Sequence, residues 1–223
     1  MIRNILSIVA TPIGNLTDLS PRAREVLASV DLVLCEDTRV TKKLLDAFEI
    51  HTPVDSLHQH TTQKDIDDLV VRLTNGENMA YVSDAGTPGI SDPGGKFVAE
   101  AVKRGVRVTP IPGASASLAA LSVCGFPSDT FTFLGFAPNK KGRNTFFEQV
   151  AGIEHTVVLY ESKHRILKTL AQLPQDRLMM VGRELTKLHE TLYRGVASEI
   201  LTQLDQTSQK GEFVIVLAPK KWN

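Results

Sequence analysis

Strands and helices alternate through the first half of this 223-residue chain, and that rhythm constrains the fold more than any other feature. Residues 4–10 are a short apolar run ended by the loop Thr11-Pro12-Ile13-Gly14-Asn15. Ser20-Pro21 caps a helix whose apolar face is Ala23, Val26, Leu27 and Val30. A strand at 31–35, helices at 40–48 and 65–73, a strand at 79–83, a helix at 94–104 and a strand at 106–111 follow. Such alternation with short connections predicts a mainly parallel sheet covered on both faces.

The second half changes rhythm. Residues 130–136 alternate Phe131, Phe133 and Leu134 with small or polar residues, as a more exposed strand does. Further strands are predicted at 156–160, 178–181 and 213–217, and helices at 145–150, 164–173 and 196–204. This half reads as a mixed sheet with helices. The expected fold is therefore α/β in two domains, 1–112 with a mainly parallel sheet and 113–223 with a mixed one. The expected linker is Gly125-Phe126-Pro127-Ser128-Asp129.

Composition narrows the classes. An apolar fraction of 42% suffices for a core in each half, and no run of about 18 apolar residues suggests a membrane span. The first ten residues lack a small-residue cleavage site and read as a strand rather than a signal peptide. Cys35 and Cys124 are far apart in apolar contexts, which fits a reducing, cytoplasmic compartment. The net charge of zero argues against gripping nucleic acid by bulk charge. Residues 1–112 carry 12 Lys/Arg against 15 Asp/Glu, and residues 113–223 carry 13 against 10. That asymmetry suits a second half that handles a polyanion.

Ligands of parallel α/β sheets bind beyond the carboxyl ends of the strands. Four loops fall there: residues 11–15, Glu36-Asp37-Thr38-Arg39, residues 83–94 and residues 110–117. Gly86 and Gly113 allow close backbone approach, while Pro88, Pro93 and Pro112 stiffen the loops. Neither a G-x-G-x-x-G nor a P-loop fingerprint is present, so dinucleotides and triphosphates lose their usual signatures. A nucleoside-like ligand fits, and so does plain turn chemistry.

Together these segments resemble a known family. Thr11-Pro12-Ile13-Gly14-Asn15-Leu16, Glu36-Asp37-Thr38-Arg39, Val82-Ser83-Asp84-Ala85-Gly86-Thr87-Pro88, Asp92-Pro93-Gly94 and residues 110–116 are similar to the ribosomal RNA (cytidine-2′-O)-methyltransferases. Tyr160-Glu161-Ser162-Lys163-His164-Arg165, Arg183-Glu184-Leu185-Thr186-Lys187 and Lys210-Gly211-Glu212-Phe213-Val214 continue the match in the same order. The resemblance implies the tetrapyrrole methylase superfamily, with S-adenosylmethionine in the cleft between two domains, usually in homodimers. It also implies methylation of a cytidine ribose in the decoding centre of 16S ribosomal RNA. The cofactor loop would be Ser83, Asp84, Ala85, Gly86 and Pro88, with Ser115 and Ala116 beside it, Pro12 lining the cleft, and Tyr160 and Glu161 opposite. The family commonly carries a further C-terminal segment, whereas this chain ends at Trp222-Asn223.

Methyl transfer to a ribose hydroxyl needs positioned partners and a group that removes or steers the hydroxyl proton. Lys163 or Lys187, lowered in pKa by burial and cations, is the candidate, with Glu161 or Glu184 fixing it. The competing reading is a structural salt-bridge network. Substrate contacts are expected from Arg39, Lys140, Lys141, Arg143, His164, Arg165 and Arg183. Glu36 and Asp37 serve substrate or cap a helix starting near Thr38. His58-Gln59-His60 has a metal-compatible spacing without a third ligand, so no metal is expected. Phe131, Phe133, Phe136, Phe146 and Phe147 are read as core rather than as a base-stacking platform. Two rivals stay open: a superfamily member acting on a tetrapyrrole or on diphthamide, and a non-catalytic nucleotide-binding module of ribosome assembly.

Overall fold

The computed structural model describes residues 4–92 and 94–222, so residues 1–3, Pro93 and Asn223 lie outside the described residues. The chain divides into two compact units, Met1–Ser115 and Ala116–Asn223. No described helix is long and apolar enough to cross a membrane.

In the first unit, β1 (Ile5–Val9), α1 (Pro21–Ser29), β2 (Leu32–Cys35), α2 (Thr38–Ala47), β3 (Val54–Ser56), α3 (Gln63–Thr74), β4 (Met79–Val82), α4 (Gly95–Lys103) and β5 (Arg107–Ile111) follow in order. All pairings are parallel, in the order β3-β2-β4-β1-β5. Every residue of β2 and β4 is buried because helices cover both faces. Leu6, Met79 and Tyr81 pack on one face with Phe97, Leu69 and Leu73. Val9, Ala80 and Val82 pack on the other with Leu27 and Leu45. Ser20 caps α1 by accepting from Ala23 N–H at 3.1 Å. The sequence reading missed β3, whose Val-Asp-Ser run is too short to show periodicity.

In the second unit, α5 (Ala116–Cys124), β6 (Phe131–Phe136), α6 (Arg143–Gly152), β7 (Thr156–Ser162), α7 (Ile166–Gln172), β8 (Met179–Arg183), β9 (Thr191–Gly195), α8 (Ala197–Gln206) and β10 (Glu212–Leu217) follow. The sheet order is β6-β7-β10-β8-β9, with only β6 and β7 parallel, so the sheet is mixed. Leu159, Ile166, Leu170 and Ile215 are fully buried, each stabilising by about 1.5–3 kcal/mol. Residues 125–129, expected to link the domains, join α5 to β6 inside this unit. There, the Thr156 hydroxyl donates to Pro127 O at 2.5 Å. Buried Arg177 ties this unit together by donating to the carbonyls of Ala218, Val150, Ile153 and His155.

Candidate active site

In the first unit, β1 and β4 are neighbours, yet the chain leaves β1 for β2 on one side and leaves β4 towards β5 on the other. Their carboxyl ends form the topological switch point where such sheets bind ligands. A reciprocal backbone pair locks the two loops: Thr11 N–H donates to Gly86 O at 2.9 Å, and Gly86 N–H to Thr11 O at 3.1 Å. The Thr11 hydroxyl adds a bond to Ser83 O at 3.1 Å, and the Ser83 hydroxyl bonds Gly86 O at 3.2 Å. Gly86 needs its glycine: φ is +81°, and a Cβ would stand 3.3 Å from Ile13 Cγ2. Thr87 joins the β5 loop by donating to Ala114 O at 3.1 Å. Gly113 allows that loop to close, since a Cβ there would meet Ala10 Cβ at 3.0 Å.

These bonds leave Asp84 and Ala85 exposed, Pro12 and Ser115 half-buried, and Ser83, Gly86 and Pro88 buried. Four carboxylates gather around them. Asp37 caps α2 by accepting from Arg39 N–H at 2.9 Å, and its own N–H donates to Asp84 Oδ1 at 3.2 Å. Arg39 is turned back onto Asp37, 2.6 Å away, and pulls that carboxyl down to about 2. Partial desolvation of its carboxyl, although the residue is exposed as a whole, and the charge of Asp37 push Asp84 up despite that Asp37 N–H. Burial and the charges of Glu36 and Asp84 push Asp92 up to about 6, against a hydrogen bond from Ser83. This end of the sheet therefore favours a cation. The sequence reading gave Glu36 to substrate or to the cap of α2 and Asp92 to a family motif, and it missed that the two carboxylates stand close enough to repel each other.

In the second unit, register brings the remaining motifs to one end of the sheet. Phe136 pairs with Tyr160, Phe213 with both Glu161 and Arg183, and Arg183 with Thr191. The Glu161 side chain is completely buried. It accepts from Ser162 N–H at 2.7 Å and the Thr169 hydroxyl at 2.6 Å, and pairs with Arg165 at 2.8 Å. Expected to wall the cofactor or fix a lysine, Glu161 spends its carboxylate on Ser162, Thr169 and Arg165 of its own unit. Arg143, expected to contact substrate, is buried and donates to Gln172 Oε1, Pro138 O and Thr169 Oγ1. Arg183, also expected to contact substrate, is buried and donates to the carbonyls of Lys210 and His189 at 2.6 and 3.1 Å.

Lys187 donates to Glu184 Oε1 at 3.0 Å and Glu212 Oε2 at 2.7 Å. Burial alone would pull this lysine down, but the two carboxylates outweigh burial and raise it. The shift is opposite to the one a general base needs, so the expected lowering does not hold for Lys187. Glu184 is pushed up by burial and pulled further down by Glu212 N–H and Lys187. The turn is tight, with Glu184 at φ +52° and Thr186 at φ +66°. Lys163 and His164 are exposed and line an open depression of about 580 Å³ with Leu204, Asp205 and residues 207–210. Lys140 and Lys141 are exposed in the turn before α6. Tyr160 is half-buried and its hydroxyl accepts from Ser117 N–H at 3.1 Å, one residue beyond Ala116. In the first unit, His58 Nδ1 accepts from His60 N–H at 3.2 Å. No group of three or more His, Cys, Asp or Glu among the described residues is arranged to hold a metal.

Comparison with known proteins gives a consistent result. The tetrapyrrole (corrin/porphyrin) methylase family matches residues 6–201. A "Ribosomal RNA small subunit methyltransferase I" of Synechocystis is 47% identical over 219 residues, covering 96% of this chain and 78% of the relative. Proteins of that name from Escherichia coli O157:H7 and Thermotoga maritima are 43% and 40% identical. They cover 97% of this chain in each case, and 78% and 99% of the relatives. Among solved structures, a diphthine synthase superposes with a TM-score of 0.74 at 16% identity, covering 96% of this chain and 90% of that one. A cobalt precorrin-4 methyltransferase superposes at 0.70, also at 16% identity, covering 96% and 95%. At that identity the likeness is one of fold.

Proposed function

Since the chain belongs to the ribosomal RNA small subunit methyltransferase I group of the tetrapyrrole methylases, we propose that it methylates the 2′-hydroxyl of a decoding-centre cytidine in 16S ribosomal RNA, with S-adenosylmethionine as donor. The observation that carries the cofactor half is the crowding of Glu36, Asp84 and Asp92 at the switch point, where burial and mutual repulsion favour an added cation. Sulfonium and ammonium groups are cations, so the residues present fit this donor. Ser83, Asp84, Ala85 and Gly86 would hold it, with Pro12, Pro88 and Ser115 around them. When bound, the cofactor supplies an activated methyl group. The chain's own task is then to place the acceptor hydroxyl in line and to exclude water.

In this reading the second unit receives the RNA. Lys163 and His164, exposed at the end of β7, orient the ribose hydroxyl or take up its proton. Lys187 stays charged between Glu184 and Glu212 and fixes the turn after β8 as a positioning residue. Exposed Lys140 and Lys141 contact phosphate. The same reading places the protein in the cytoplasm as a homodimer whose partner is the small ribosomal subunit.

The test is acceptor choice. Purified protein with methyl-labelled S-adenosylmethionine should label unmodified small subunits, and the label should resist alkali as a 2′-O-methylated linkage does. Label on a tetrapyrrole or on diphthamide instead would reject the RNA acceptor, and cofactor binding without any transfer would favour the assembly-module reading.

A further inference from the structure

The five phenylalanines of the β6 and α6 region divide in the structure. Phe147 is buried in the core and Phe146 packs against it, whereas Phe136, the last residue of β6, leaves 49% of its surface exposed. Phe131, at the other end of the strand, is 38% exposed. A single exposed aromatic needs no explanation. The surroundings of Phe136 set it apart. Its ring meets Tyr160 edge to face at 5.6 Å, and the Arg165 guanidinium stands 5.9 Å from its centroid. Both neighbours are anchored: Tyr160 by Ser117 N–H, and Arg165 by buried Glu161 and the carbonyl of Ala137. The turn that follows carries Lys140 and Lys141, both exposed and without an ion-pair partner among the described residues.

A ring held rigidly from behind, half open to solvent and followed at once by unpaired ammonium groups, has the composition of a single-strand nucleic-acid platform. The aromatic stacks a base and the cations take the backbone phosphates. We propose that Phe136 stacks an unpaired base of the RNA acceptor, with Arg165 bracing the ring and Lys140 and Lys141 contacting phosphates. The proposal rests on the RNA-methyltransferase reading and deepens it: the acceptor region would be bound as single strand rather than as duplex. The pair between Arg165 and the buried carboxylate of Glu161 holds the guanidinium beside the ring.

The experiment titrates the full-length protein with a fluorescein-labelled 12-nucleotide single-stranded RNA containing unmodified cytidines, and with its duplex, followed by anisotropy. Affinity for S-adenosylmethionine is measured alongside. Phe136→Ala should weaken single-strand binding by about tenfold, while Phe136→Trp, which keeps a π face, should stay within about twofold. Lys140→Ala/Lys141→Ala should reduce the salt slope by about 1.4. Cofactor affinity should not change in any of these variants. The proposal is overturned by wild-type RNA affinity in Phe136→Ala, by equal losses in Phe136→Ala and Phe136→Trp, or by duplex bound as tightly as single strand. It also falls if cofactor affinity drops in Phe136→Ala, because the ring would then belong to the cofactor. If Phe136→Ala binds RNA normally while the wild type methylates subunits, only the stacking proposal fails. If the wild type takes up cofactor but neither binds nor labels RNA, both readings fail.

Discussion

Arg165 reaches back from the turn after β7 to place its guanidinium 2.8 Å from the fully buried carboxylate of Glu161. Because Glu161 also accepts from Ser162 N–H and the Thr169 hydroxyl, the pair is hydrogen-bonded as well as charge-matched. Thr169 in turn accepts from Arg143, so one buried carboxylate organises two arginines and joins β7 to α6 and α7. Removing one member of a buried pair strands the other, which costs about 3 kcal/mol or more. Glu161→Ala should lose stability on that scale in urea unfolding, and Glu161→Gln, whose amide oxygen can still accept from Ser162 N–H while its NH2 donates to the Thr169 hydroxyl, should lose less.

Gly86→Ala tests the lock between the loops that follow β1 and β4. The left-handed backbone at φ +81° costs an alanine about 1 kcal/mol, and crowding against Ile13 at 3.3 Å adds to it. A lower Tm together with weaker S-adenosylmethionine binding is expected. Unchanged cofactor affinity would mean that the loop carries no part of the cofactor site.

Lys187 is raised above its ordinary 10.5. A cation with a raised folded pKa contributes stability that is complete below its unfolded value and is lost only as pH rises through the folded one. Stability and methylation should therefore show no Lys187 ionisation between about pH 6 and 9. Lys187→Met should lower kcat by about tenfold or more, with cofactor affinity kept. Full activity in Lys187→Met would remove it from the machinery, and full activity in Lys163→Ala would do the same for Lys163.

Asp92 supplies the opposite pH signature. Its carboxyl is raised from 3.8 to about 6, so the folded state prefers the protonated form. The contribution is full below about pH 4 and lost as pH rises through about 6. Asp92→Asn should therefore raise Tm at pH 8 and match the wild type near pH 4. If S-adenosylmethionine binds beside this carboxylate, adding it should lower the apparent pKa.

The parallel half was legible because its strands are short apolar runs such as Leu32–Cys35 and Met79–Val82, set between capped amphipathic helices. β9 was not, since only Tyr193 of Thr191–Gly195 is buried. The site was legible as loops but not as contacts. Glu212, which holds Lys187, lies 25 residues downstream and meets it only through the β8–β10 register. Arg143 read as part of a basic loop because charge pattern alone cannot distinguish an exposed lysine from an arginine folded under α7. The exposure of Phe136 depends on its place at the end of an edge strand, which alternation does not reveal.

The most direct measurement supplies methyl-labelled S-adenosylmethionine and unmodified small ribosomal subunits, then maps the labelled nucleotide. The account predicts label on the ribose of a decoding-centre cytidine. Label on a base or on another molecule, or no transfer to subunits or naked RNA with cofactor bound, would contradict it.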